Sequence, residues 1–111
     1  MKHAVSTLIY LILLTVSCFT HADNASYIVC IACHGEDGAG AVSQNSPAIA
    51  GLDKQYVKRQ LENYQSGARG AAKGDISGGI MRAIATSLTP EKIQDVSSYV
   101  DSMPRPILSE S

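Results

Sequence analysis

The spacing of apolar residues along the chain predicts helices, and no segment shows the sustained two-residue alternation that is typical of a β-strand. A first helix is expected to begin near Asp23 or Asn24, to include the apolar run up to Cys33 and to end at Gly35. A loop is expected over Gly38–Gly51. The pattern therefore indicates an all-α fold from its beginning.

A second helix is predicted over Lys54–Ser66, with Asp53 as its N-cap and Gly67 as its stop signal. Its apolar positions recur at intervals of four and three residues, which places them on one face. These positions are Val57, Leu61 and Tyr64.

Glycines are concentrated in Gly67–Gly79, which predicts a loop that passes closely over another group. A short helical turn over Ile80–Ser87 is expected to follow it. The sequence Thr89-Pro90-Glu91 then predicts the start of a last helix: a capping residue, a proline at the first position and an acid in the first turn. That helix is expected to end at Pro104 and Pro106, which gives about four helices in all.

The first 22 residues have the features of a secretory signal peptide. Lys2 supplies a positive start, residues 4–20 carry no charge, and Thr20-His21-Ala22 provides a small-x-small cleavage site. We therefore expect residues 1–22 to be removed, residues 23–105 to form one domain, and residues 106–111 to form a short tail. The alternatives are an uncleaved membrane anchor facing the periplasm and a lipidated Cys18.

Size and charge narrow the classes of function. The chain has 111 residues and a formal net charge of −1, which leaves room for one domain and gives no basic patch for nucleic acid. A mature chain of this size buries little apolar surface, so it needs a staple or a cofactor to be stable. An exported protein would meet an oxidising compartment, but a disulfide between two cysteines three residues apart constrains the unfolded chain little.

The segment Cys30-Ile31-Ala32-Cys33-His34 matches the C-x-x-C-H pattern to which haem c is attached. One helical turn separates the two thiols, as two thioether bonds to the haem vinyl groups require, and His34 follows as an iron ligand. A thioredoxin-type dithiol would need a βαβ context. A zinc site or an iron–sulfur cluster would need four ligands.

Two methionines outside the predicted signal peptide are candidates for the sixth iron ligand. Met81 follows the glycine-rich loop and is expected to open a short helix, from which its thioether can reach the far face of the haem. Met103 continues the apolar stripe of the last helix, as a core methionine does. We therefore expect His34 and Met81 as the axial pair, with Met103 as the alternative.

Three further residues are candidates for the surroundings of the haem. Pro47 lies 13 residues after His34, and the backbone near it is expected to accept the second ring N–H of that histidine. Arg69 and Lys73 lie in the glycine-rich loop, where either one could pair with a haem propionate or remain solvated.

With these residues in place, the chain resembles class I cytochromes c of the small periplasmic single-haem type, and one half of the di-haem periplasmic cytochromes c. The resemblance implies that Cys30 and Cys33 hold one haem c and that His34 and Met81 are its axial ligands. It also implies roles for the Pro47 carbonyl and for Arg69. The matching stretches cover about 75 residues in family order: Cys30–Gly35, Ser46–Gly51, Gln55–Leu61, Gly67–Arg69, Ile80–Ala85 and Leu88–Val100.

The expected function is one-electron transfer in a respiratory or dehydrogenase chain, through transient contacts with redox proteins, and not catalysis. One alternative is the haem subunit of a periplasmic flavoprotein dehydrogenase of the sulfide dehydrogenase type. Another is a gas-binding or sensing haem protein, which would need a sixth position that Met81 does not fill. A haem catalyst would need distal acid–base groups, and the expected mature chain has His34 as its one histidine.

Overall fold

The structure is a computed structural model that describes residues 24–107. Its elements are a 3₁₀ turn at Asn24–Tyr27, α1 (Ile28–His34), a second 3₁₀ turn at Val42–Gln44, α2 (Lys54–Ser66), α3 (Ile76–Thr86) and α4 (Pro90–Ser102). Within these residues there is no strand; Ala41 and Ser46 form an isolated antiparallel bridge. The all-α prediction is confirmed, and the predicted signal peptide of residues 1–22 lies outside the described residues.

The beginning of the first helix differs from the prediction. The chain winds as a 3₁₀ turn until Tyr27, and regular α-helix begins only at Ile28. Tyr27 is 1% exposed and its ring lies 5.2 Å from the ring of Tyr99 on α4. This contact joins the start of the described chain to its last helix.

Helices α2 and α4 begin where their capping residues predict. The Asp53 carboxylate accepts a hydrogen bond of 3.0 Å from the Tyr56 backbone N–H, which satisfies one of the free donors at the start of α2. Thr89 Oγ1 accepts a bond of 3.3 Å from the Lys92 N–H in the same way, with Pro90 at the first position of α4. Local sequence signals therefore determine both helix starts.

The prediction of a glycine-rich loop up to Gly79 and a short helical turn from Ile80 is wrong at the start of α3. The helix begins at Ile76, four residues earlier, because the Asp75 carboxylate caps it by accepting a 2.8 Å bond from the Gly78 N–H. A Cβ added to Gly70 would collide with the Gly78 carbonyl oxygen. These glycines therefore allow two backbone segments to approach closely, and only the stretch before Asp75 is loop.

One core joins the helices. Residues from α2, α3 and α4 pack together, and the 3₁₀ turn at Asn24–Tyr27 packs on α4. The buried apolar residues of this core are Tyr27, Ala50, Leu61, Tyr64, Ala85, Leu88, Ile93, Val96, Val100 and Met103. Within residues 24–107, none of the helices has the length and apolar character needed to cross a membrane.

Candidate haem site

Helix α1 carries the attachment residues. Cys30 and Cys33 are both half-buried, form no disulfide with each other, and lie about one helical turn apart. Burial raises the pKa of the Cys30 thiol to about 11, with a further contribution from the neighbouring Cys33. Burial of this thiol therefore disfavours its thiolate form before a haem is attached.

His34 is the last residue of α1 and is 5% exposed. Its ring atom Nδ1 lies 2.8 Å from the carbonyl oxygen of Pro47. A carbonyl oxygen only accepts hydrogen bonds, so Nδ1 donates and carries the ring proton. The lone pair of the ring is therefore at Nε2, which is the form that binds a metal, and His34 fits the role of an iron ligand.

Two further contacts hold the His34 segment, and neither could be predicted from the sequence. The Tyr27 hydroxyl donates to the Gly35 carbonyl oxygen at 2.8 Å. The Gly40 backbone N–H donates to the His34 carbonyl oxygen at 2.9 Å. No signal in the sequence separates a hydrogen-bonded Tyr27 from an ordinary core tyrosine, because its acceptor is a backbone atom that the fold brings within reach.

The two methionines occupy different environments. Met81 lies in the middle of α3, where it is half-buried and packs against the core, and not at a helix start as expected. Met103 caps the C-terminal end of α4 and is a buried member of the core. The structure thus leaves Met81 with a side chain that is only partly covered by protein.

The two basic residues of the glycine-rich loop are exposed. The Arg69 guanidinium donates to Gln60 Oε1 at 2.9 Å and lies 4.7 Å from the centroid of the Tyr64 ring. Arg69 is thus held against α2 by a hydrogen bond and a cation–π contact. Lys73 lies on the outer part of the same loop, and both residues remain candidates for the haem surroundings.

Exposed apolar side chains flank the segment that follows His34. Val42 is 99% exposed and Ile76, at the start of α3, is 78% exposed. The two segments are joined where Asn45 Nδ2 donates to Ser77 Oγ at 3.1 Å. The loop after α1 and the start of α3 are thus linked by a hydrogen bond, and each of them carries an exposed apolar side chain.

The residues described do not offer an alternative metal centre. Among residues 24–107, no group of three or more His, Cys, Asp and Glu side chains comes together in a way that could hold a metal ion. A zinc site of the usual kind needs four such ligands. The C-x-x-C-H segment in this part of the chain is itself the pattern to which haem c is attached.

The fold and the site define a small helical domain of the c-type haem-binding class. A family model described as Cytochrome c matches residues 23–104. The chain belongs to the cytochrome c family, whose domain binds haem c covalently, and Cys30, Cys33 and His34 form its attachment motif.

Several relatives share this domain. The chain is 35% identical over 83 residues to a thiosulfate dehydrogenase electron acceptor of Stutzerimonas stutzeri, covering 75% of this chain and 35% of that one. It is 35% identical over 74 residues to cytochrome c4 of Azotobacter vinelandii, covering 67% and 34% of the two chains. It is 33% identical over 73 residues to cytochrome c-554(548) of Halomonas halodenitrificans, covering 66% and 82%.

A solved structure of thiosulfate dehydrogenase from Marichromatium purpuratum has the same domain. The match has a TM-score of 0.59 and 30% identity, and it covers 68% of this chain and 15% of that one. The chain thus spans about a third of the length of the first two curated relatives and a smaller part of this enzyme.

Proposed function

We propose that this protein is a one-electron carrier with a single haem c, for which His34 and Met81 are the axial ligands. The observation that carries the proposal is the hydrogen bond from His34 Nδ1 to the Pro47 carbonyl, because it leaves Nε2 free to bind iron. The partly covered Met81 is the second protein ligand. When bound, the haem supplies an iron centre that exchanges one electron.

A histidine–methionine pair suits electron transfer better than ligand binding or catalysis. With His34 and Met81 both bound to the iron, the haem would have no position open to a gas or a substrate, and the methionine would raise its reduction potential. The role of the chain is to hold the ring of His34 in one orientation, to supply the thioether of Met81 and to exclude water from the site. Transient contacts with redox proteins follow from this role.

The place of action belongs to the same proposal. We expect residues 1–22 to direct the chain to the periplasm, where it acts in a respiratory or dehydrogenase chain. Its charge near zero gives little long-range steering, so recognition of the donor and acceptor depends on short-range contacts.

The decisive experiment is the absorption spectrum of the ferric holoprotein and of two methionine variants. Coordination of a methionine sulfur gives a weak band at the red end of the visible spectrum. We expect this band in the unsubstituted protein and its loss in Met81→Ala, together with a lower potential and binding of carbon monoxide to the ferrous form. Met103→Ala is the matched control and should keep the band.

Each outcome has a distinct meaning. A folded, haem-loaded protein without the band would contradict the His/Met assignment and favour the gas-binding alternative. Loss of the band in Met103→Ala, with Met81→Ala unchanged, would transfer the ligand role to Met103.

A second candidate function is the electron-accepting haem subunit of an oxidoreductase. The observation that favours it is the similarity to a thiosulfate dehydrogenase electron acceptor and to a thiosulfate dehydrogenase. To test this, the ferric holoprotein is mixed with thiosulfate and the purified catalytic subunit of a thiosulfate dehydrogenase. The enzyme should then reduce the haem within one catalytic turnover. If reduction is no faster than with thiosulfate alone, the free-carrier assignment is favoured.

A further inference from the structure

We propose that Gln65 is a positioning residue for Met81, because its side-chain amide holds the end of the helix that carries this methionine. The proposal rests on the proposed function, in which Met81 binds the haem iron. Gln65 does not itself touch the iron ligand; it acts through the backbone of α3.

The contact uses both hydrogens of one amide. Gln65 lies near the end of α2, where its side chain is half-buried. Its Nε2 donates to the carbonyl oxygen of Ala85 at 2.9 Å and to that of Leu88 at 2.9 Å. The two acceptors are 20 and 23 residues away in the sequence, so this bond pair joins α2 to the turn between α3 and α4.

The two acceptors lie at and just beyond the end of α3: the Ala85 carbonyl oxygen also accepts from the Leu88 N–H at 3.1 Å, and Leu88 itself lies in the turn before α4. The last four carbonyls of an α-helix have no intrahelical donor, and many helices satisfy them with a glycine-based cap. Helix α3 ends at Thr86, and its C-cap residue Ser87, with φ −80° and ψ −11°, is not a left-handed glycine. Ala85 is 0% exposed and Leu88 is 6% exposed, so Gln65 supplies donors where protein excludes most of the water.

The position of Met81 on α3 connects this contact to the iron. Met81 and Ala85 are four residues apart, so they lie on the same face of the helix, one turn from each other. The buried Ala85 backbone is held by Gln65, and the Met81 thioether is about one turn back along the same face. Holding the end of the helix therefore fixes the position of Met81 along the axis of α3 and its rotation about that axis.

The other end of α3 gives less support to the helix. Gly78 and Gly79 lie in its first turns, and each glycine weakens a helix by roughly 1 kcal/mol relative to alanine. Asp75 holds the first turn through the Gly78 N–H at 2.8 Å. Met81 lies directly after this glycine pair and Ile80, and the hydrogen bonds from Gln65 to Ala85 and Leu88 restrain the chain on its C-terminal side.

The test measures how readily an external ligand displaces Met81 in the ferric holoprotein. Imidazole competes with the thioether for the iron, so its apparent affinity rises with the fraction of molecules in which Met81 is detached. Gln65→Glu keeps the length of the side chain but replaces both donors by a carboxylate that faces two carbonyls. Gln65→Lys removes the amide but retains donors and places a cation at a helix C-terminus.

We expect imidazole to bind Gln65→Glu with an apparent affinity about tenfold higher, in line with the loss of two hydrogen bonds. Gln65→Lys should stay within about twofold of the unsubstituted protein. Gln94→Glu, at an exposed position of α4, introduces the same change away from the site and is the matched control. If Gln65→Glu does not fold, Gln65→Met removes the donors without adding a charge and should give the same direction of change.

Two results would overturn the inference: an unchanged imidazole affinity in both donor-less variants, or an equal rise in the Gln94→Glu control. A lower free energy of unfolding with unchanged imidazole affinity would mean that Gln65 only stabilises the fold. Failure of the proposed function has a different signature: the unsubstituted ferric protein would lack the red-end band, and imidazole would bind without competition.

Discussion

His34 and Pro47 are joined by a 2.8 Å hydrogen bond from the ring Nδ1 to the backbone carbonyl oxygen across 13 residues. The bond makes the orientation of the histidine ring depend on the loop after α1 as well as on α1. The same loop returns to His34 a second time, where the Gly40 N–H donates to the His34 carbonyl oxygen at 2.9 Å. The loop is therefore a structural part of the candidate site.

The first prediction concerns the approach of Gly40 to the Pro47 segment. A Cβ at residue 40 would lie 2.6 Å from the Ser46 carbonyl oxygen and 2.7 Å from the Pro47 carbonyl carbon. Gly40→Ala should therefore displace the acceptor of the His34 proton. A less strongly bonded imidazole is a weaker base toward ferric iron, so the reduction potential should rise, as redox titration would show.

Gly74→Ala is the matched control for this substitution. Gly40 and Gly74 have similar positive φ values of 83° and 88°, but nothing lies within 4 Å of a Cβ at residue 74. Both variants should lose about 1–2 kcal/mol from the backbone strain alone. The free energy of unfolding of Gly40→Ala should fall by roughly a further 1–3 kcal/mol because of the collision. Only Gly40→Ala should change the reduction potential. Equal potentials in the two variants would contradict the role of the loop.

The second prediction concerns the buried hydroxyl of Tyr27, which donates to the Gly35 carbonyl oxygen at 2.8 Å. Tyr27→Phe keeps the ring packed against Tyr99 but leaves that carbonyl without the hydroxyl donor. The free energy of unfolding should fall by about 1–2 kcal/mol at neutral pH, measured by denaturant titration of the holoprotein. Tyr56→Phe, on the exposed side of α2, should change it by less than about 0.5 kcal/mol.

The third prediction follows from the ionisation of Tyr27. Burial raises the pKa of Tyr27 from 10.0 to about 12, and the neighbouring Tyr99 adds to this direction. The stability that depends on the neutral hydroxyl is fully present below about pH 10 and is lost as the pH rises to about 12, because the unfolded chain ionises first. Unfolding measured at several pH values should show this loss, about 3 kcal/mol at most, in the unsubstituted protein. Tyr27→Phe should lack it, and an identical pH profile in the two proteins would contradict the assignment.

The fourth prediction concerns the haem attachment. Cys33→Ala removes one of the two thiols of α1, so stable covalent attachment should be abolished. Haem staining after denaturing electrophoresis should fall to the background in this variant. Ala32→Ser, at the exposed position beside it, should stain like the unsubstituted protein. Full staining of Cys33→Ala would mean that Cys30 alone secures the haem.

The fifth prediction tests the proposed role of Arg69 near the haem propionates. Removing a positive charge close to the haem favours the ferric form, so Arg69→Gln should lower the reduction potential by roughly a few tens of millivolts at low salt. Arg69→Lys keeps the positive charge, so its reduction potential should stay close to that of the unsubstituted protein. Lys92→Gln, which removes an exposed charge from α4, should change it less. If Arg69→Gln and Lys92→Gln are indistinguishable, Arg69 serves only to pack on Tyr64 and Gln60.

Much of the fold could be predicted from local signals. Asp53 and Thr89 each cap a helix at the predicted position, because a capping side chain bonds to a backbone N–H only three residues away. The C-x-x-C-H segment similarly needs only one helical turn to present its thiols. Such short-range relations are present in the sequence before any tertiary contact forms.

The start of α3 could not be predicted in this way. Gly78 and Gly79 indicated a loop, since glycine is unfavourable in a helix interior. In the structure, the backbone of Gly70 comes so close to Gly78 that a side chain at residue 70 would collide with it, and Asp75 caps the first turn. Packing thus outweighs helix propensity at these glycines. Met81 therefore lies in the interior of a helix and not, as predicted, at its beginning.

The helical class, the caps and the attachment motif could all be predicted from the amino-acid pattern, because each depends on residues within one or two helical turns of each other. The surroundings of the two candidate iron ligands depend instead on contacts that form only when the chain folds. The Tyr27 hydroxyl meets Gly35, and the Gln65 amide meets Ala85 and Leu88. In each case a side chain donates to a backbone carbonyl. Every residue has such a carbonyl, so the residue type does not identify the acceptor before the chain has folded.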